Sequence, residues 1–93
     1  MYSRRVQVIN KSGLHARPAA AFVTEANKFS SDITVEKLND PAGNGPVNVK
    51  AIIKILSLMV SKGDEIEIAA TGDDEVAAVD ALVELVESGC KEM

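Results

Sequence analysis

The chain has one histidine, one cysteine and no tryptophan, and each scarcity removes a class of chemistry. A single thiol cannot close an intramolecular disulfide or build a thiolate metal cluster. A single imidazole leaves no second histidine for a metal pair or a catalytic dyad. The three aromatic residues, Tyr2, Phe22 and Phe29, give bases little to stack on, and a net charge of −4 opposes binding along a phosphate backbone. No apolar run approaches the length that spans a bilayer. Met1–Ile9 carries arginines where a signal peptide needs an apolar stretch. A glycine-rich phosphate loop is also missing. These absences predict a cytoplasmic protein with no metal, no cofactor, no nucleic-acid partner and no insertion into a membrane.

What is there fits one small domain over residues 1–93 with an aliphatic core of Val, Ile, Leu and Ala. Val6 and Val8 alternate with polar residues, which predicts a strand over Tyr2–Ile9. Ala19, Phe22, Val23 and Ala26 fall at i, i+3, i+4 and i+7, the apolar stripe of a helix running to about Lys28, with Pro18 in its first turn. Ile33 and Val35 mark a second strand, and Val47 and Val49 a short third one. The intervening stretch Asn39–Pro46 is long for a hairpin loop.

A short helix over Ala51–Val60, apolar at 52, 55, 56 and 59, is stopped by Lys62-Gly63-Asp64. A fourth strand follows, carrying Ile66, Ile68 and Ala70. Asp73 is the expected N-cap of a last helix with Val76, Val79, Leu82, Val83 and Val86 as its buried stripe, ending near Ser88-Gly89. Cys90 then falls near a frayed terminus, where sequence leaves its exposure and reactivity open. The order βαββαβα predicts an α+β fold, an antiparallel sheet with its helices on one face.

The histidine lies in the octapeptide Gly13-Leu14-His15-Ala16-Arg17-Pro18-Ala19-Ala20. Lone histidines are more often surface groups than catalysts, but this one leads into a helix and lies off its apolar stripe. It is therefore expected to be exposed, with its ring near backbone N–H groups that lack helical partners. Those donors disfavour imidazolium and favour the neutral ring that a nucleophile requires. They would equally receive an anion placed on His15. Arg17, disfavoured at the positive end of a helix unless something anionic visits, would add charge-assisted hydrogen bonds. Ser12 is either an additional hydroxyl donor or a turn residue, and Lys11 a solvated turn charge.

The octapeptide resembles the active-site signature of HPr, the histidine phosphocarrier family of the bacterial phosphoenolpyruvate:sugar phosphotransferase system. Val47 through Leu58 (Val-Asn-Val-Lys-Ala-Ile-Ile-Lys-Ile-Leu-Ser-Leu) is similar to the second signature of that family, and Lys62–Ile66 and Ala70–Glu75 continue the likeness across nearly the whole chain. The resemblance implies an open-faced β-sandwich, a four-stranded antiparallel sheet with three helices on one face. It implies that phospho-Enzyme I passes its phosphoryl group to Nδ1 of His15, with Ser12, Ala16 and Arg17 stabilising it. The carrier would then hand the group to sugar-specific EIIA-type proteins. Docking would use Ala20 and Val23 together with Ile52, Ile53 and Leu56, as exposed apolar residues around the histidine, and a monomer is the simplest shuttle.

Three departures from the pattern stand out. Ala51 occupies the place of a serine that many family members present to a regulatory kinase, so that switch should be missing. The 39–46 loop is longer than usual, and is expected far from the histidine. Met59 stands where glycine is common. A carrier in a nitrogen-type regulatory phosphorelay would use the same histidine chemistry. A non-catalytic binding module, with His15 incidental, is the reading from a different class.

Overall fold

The computed structural model describes residues 1–41 and 43–90, apart from the side chain of Ala16; Ala42, within the long loop, lies outside them. The elements are β1 (Tyr2–Gln7), α1 (Ala16–Ala26), β2 (Asp32–Lys37), β3 (Val47–Asn48), α2 (Ile52–Ser57), β4 (Glu65–Thr71) and α3 (Glu75–Glu87). The strands form one sheet in the order β1-β4-β2-β3 with every neighbouring pair antiparallel. The expected α+β architecture, an open sheet with three helices, is what the chain adopts.

The register explains the layering. Val6 pairs with Ile66, Val35 with Ile68 and Ile33 with Ala70, and all six side chains are buried beneath the helices with Phe22, Ala26, Val79, Leu82, Val83 and Val86. The opposite face carries the alternate residues, with Arg5 across from Glu67 and bonded to it through Nε at 3.0 Å. An aliphatic period-two pattern on one face and charge on the other can place only one side against helices.

Several boundaries and faces differ from the sequence expectation. β1 ends at Gln7 and not Ile9, but pairing continues beyond it: the Val8 N–H donates to the Asp64 carbonyl at 2.8 Å, and the Gly63 N–H to the Val8 carbonyl at 2.7 Å. α1 stops at Ala26, two residues early, as the Lys28 and Phe29 amides tighten to i−3 carbonyls. α2 spans only six residues, Ile52–Ser57, where a helix over Ala51–Val60 was expected. Of the four apolar positions that set its period, Ile55 is buried and Leu56 half-buried, while Ile52 and Met59 are exposed; Leu58 and Val60 complete its contribution to the core. Seven apolar residues between 52 and 60 fill more than one face, so spacing alone could not select the inner one.

At α3 the N-cap is Asp74, not Asp73, and its side chain makes no capping bond to its own helix. The Asp74 carboxylate instead accepts the Ser30 amide at 2.9 Å, the Ser31 amide at 3.0 Å and the Ser31 hydroxyl. It thereby ties the start of α3 to the segment entering β2. Val76 is half exposed, while Ala78 and Leu85 join the buried face. The helix closes where expected: Gly89, at φ +82°, donates to the Val86 carbonyl at 3.0 Å, and Cys90 reaches back to that of Leu85 at 2.9 Å. This paired turn, which favours glycine at the left-handed position, carries Cys90 into the core, where it is buried.

The hydroxyl of Ser31, followed by the Ser30 amide, holds the Asp74 carboxyl below its ordinary value of 3.8. A folded-state value depressed in this way contributes stability above the unfolded value, and that contribution disappears as pH falls through the folded one. Asp74→Asn is therefore expected to lower the urea midpoint at neutral pH. The difference from wild type should narrow progressively below about pH 3.8, which midpoints measured between pH 2 and 7 will show.

Candidate functional site

The histidine is set by the five residues before it. β1 ends, and Asn10 turns the chain: its carbonyl accepts the Gly13 N–H at 3.2 Å, and its buried Nδ2 donates to the Gly13 carbonyl at 2.8 Å. Gly13 has φ +63°, and a Cβ there would strike the Val60 carbonyl oxygen and come within 2.8 Å of the Ser61 Cα. The next residue, Leu14, is fully buried and donates its N–H to the Val60 carbonyl at 3.1 Å. The turn is thus fastened to itself, to the core and to the chain leaving α2. Sequence reading took Asn10 to Gly13 only as a strand terminator. An asparagine followed at i+3 by glycine marks a turn in the sequence, but its burial shows only in the structure.

His15 emerges from this turn as the N-cap of α1, extended at φ −125° and ψ 156°, with no side-chain capping bond. It is half-buried, less open than expected, because Leu14 pulls the adjoining backbone into the core. Ala16 and Arg17 open the helix, so their amides have no helical carbonyl four residues back. Pro18 is third and brings no N–H. The donor end of an eleven-residue helix therefore lies directly after the imidazole-bearing residue. The field of such an end favours an anion by about 0.3–1 kcal/mol at an exposed position.

Arg17 is exposed and, among the described residues, has no carboxylate partner. Ser12 lies in the exposed turn two residues before Leu14. Of Ala16, only its place at the head of α1 is described. No group of three or more His, Cys, Asp or Glu able to hold a metal ion occurs among the described residues.

The expected docking residues divide into two kinds. Ala20, Ile52 and Ile53 are exposed, Ile53 most of all at 73%. Val23 and Leu56 are half-buried and packed against the core, so they are not the freely exposed residues expected. Helices α1 and α2 are packed neighbours, which brings both sets to adjoining surfaces. Ala51 is the N-cap of α2 and has no hydroxyl to offer there. The 39–46 loop leaves the sheet at the end where β1 gives way to the histidine turn, since Gln7 pairs with Glu65 and Lys37 with Ile66.

Comparison with known proteins agrees with this arrangement. The family model described as "PTS HPr component phosphorylation site" matches residues 2–88. The chain belongs to the HPr family. Similar proteins include the phosphocarrier protein HPr of Haemophilus influenzae, 43% identical over 86 residues and covering 92% of this chain and 95% of that one. The HPr-like protein Crh of Bacillus subtilis is 44% identical over 87 residues, covering 94% and 96%. Among solved structures, HPr of Thermoanaerobacter tengcongensis superposes with a TM-score of 0.88 at 49% identity, each chain covered completely. Membership makes this chain a phosphocarrier of the phosphotransferase system.

Gly13→Ala tests the turn. Both the left-handed backbone and the missing space at Val60 oppose a methyl group, so a loss of at least ~1 kcal/mol in unfolding free energy is expected from denaturant titration. The mutation should also broaden or shift the His15 ring resonances.

Proposed function

We propose that this chain acts as one domain over 1–93, a covalent carrier and not a stand-alone enzyme. It accepts a phosphoryl group from phospho-Enzyme I on Nδ1 of His15 and passes it to sugar-specific EIIA-type proteins. The observation that carries the reading is the position of His15 as N-cap of α1, with no capping bond from its own side chain. In transfer, the Nδ1 lone pair attacks phosphorus as the phosphorus–nitrogen bond of the donor histidine breaks, and the donor ring retains the released electron pair. The group then faces the Ala16 and Arg17 amides, with the Arg17 guanidinium free to follow it and Ser12 at the turn beside it. These contacts are each modest, and modest binding suits a group that must leave again.

The docking face combines Ala20 and Val23 with Ile52, Ile53 and Leu56, an apolar surface of the kind that makes a small, reversible contact. No described helix is long and apolar enough to cross a membrane, which fits a cytoplasmic shuttle. We take the working form to be a monomer, since the shuttle must present one face to successive partners. Relatives solved as dimers, an HPr of Thermoanaerobacter tengcongensis and the Crh of Bacillus subtilis, make sedimentation of the unphosphorylated chain the direct check. A regulatory relay remains the second reading, favoured by the similarity to Crh and by Ala51 at the head of α2. A panel of acceptor proteins separates the two.

Incubation with Enzyme I and labelled phosphoenolpyruvate should give acid-labile, base-stable label that is lost in His15→Ala. Wild type that stays unlabelled would refute the carrier role. Arg17→Ala is expected to slow transfer while moving stability by less than about 0.5 kcal/mol, and unchanged rates would remove it from the site. With ATP and a serine-directed carrier kinase, no label is expected; label on Ser57 would show that α2 retains a regulatory hydroxyl.

A further inference from the structure

Met59 follows α2 in a left-handed conformation, φ +56°, that side chains other than glycine rarely adopt. Nothing in its burial accounts for a large side chain there, because it is 63% exposed. The backbone is held in place from outside. The Met59 N–H donates to the Leu56 carbonyl at 3.2 Å, and the Lys37 ammonium donates to the Met59 carbonyl at 3.2 Å. Lys37 itself lies 3.7 Å from Asp64, whose carboxylate accepts the Ser61 amide at 2.8 Å. Glycine would satisfy this turn with no steric penalty. A strained, over-determined position with an exposed side chain points to a use for that side chain.

The place of Met59 suggests what the use is. It stands two residues past the end of α2 and is exposed, as are Ile52 and Ile53 on that helix. It also precedes Val60, whose carbonyl is bound by Leu14, the residue before His15. On the carrier reading, a partner that closes on His15 approaches the Leu14–Val60 contact, next to which Met59 stands. A carrier meets a donor and an acceptor of different shapes in turn. Methionine, unbranched and polarisable, is the apolar side chain best able to repack between them.

We propose that Met59 is a specificity-determining contact residue, a flexible apolar finger that extends the docking face toward His15 and is retained at the expense of fold stability. The inference rests on the carrier reading above and adds to it a residue in this chain that engages the phosphorylated partner. Two variants separate contact from strain. Met59→Gly removes both, so its thermal midpoint should rise by several degrees, while KM for phospho-Enzyme I rises roughly fivefold, the effect falling on KM and not on kcat. Met59→Gln keeps the backbone constraint and the length but makes the tip polar, so the midpoint should stay and KM should rise alike.

Unchanged KM in both variants, with wild type labelled normally, would overturn the role of Met59 and leave the carrier reading standing. A lower midpoint in Met59→Gly would overturn the claim of stored strain. Wild type that accepts no label from phospho-Enzyme I would overturn the carrier reading and this inference together.

Discussion

The contact on which the site depends is between two stretches of backbone: Gly13 and Leu14 on one side, the Val60 carbonyl on the other. It leaves no room for a Cβ at residue 13, and it spends the Leu14 N–H on a bond to the chain just past α2. Because Leu14 is also buried in the core, the next residue has little freedom in where its backbone can go. His15 begins α1 from a position fixed by the sheet, the core and α2 together. A histidine that serves as nucleophile to two partners in succession, as proposed above, needs this kind of definition, since transfer rates fall steeply with small errors in placement.

The same contact joins the histidine turn to the proposed docking face. The helix that bears the histidine and the helix that offers Ile52 and Ile53 are not merely adjacent, because the link between them runs through the turn that aims the imidazole. The left-handed Met59 directly precedes Val60, the residue whose carbonyl Gly13 abuts across that link. On the far side of the fold, Asp74 does comparable work by tying the entry of β2 to the head of α3 through Ser30 and Ser31. The sheet is therefore fastened at both ends by polar bonds that alternating apolar residues alone would not provide.

Much of this was legible in the residue order, for physical reasons. Strict alternation in β1, β2 and β4 admits one inward face, so Val6, Ile33, Val35, Ile66 and Ile68 were assignable without coordinates. Gly89 announced the end of α3, and Gly13-to-Ala20 announced the site because few arrangements put a lone histidine against the head of a helix. The inner face of α2 was not legible, since apolar residues surround it and only packing places Ile55 and Leu58 inside and Ile52 and Met59 outside. The cap of α3 was missed because Asp73 and Asp74 are chemically identical, and what separates them is a pair of serines more than forty positions away. Asn10 was overlooked for a related reason: a turn-forming residue and a buried clip have the same sequence signature.

The turn that closes α3 has one more consequence. By folding Cys90 back beneath the helix end, it shelters the lone thiol from oxidants and from crosslinking to a second chain, since a shielded thiol in apolar surroundings is chemically inert. Alkylation can proceed only when the last helical turn opens, so the rate of thiol capture becomes a clock for local unfolding at that corner, installed without any engineered label.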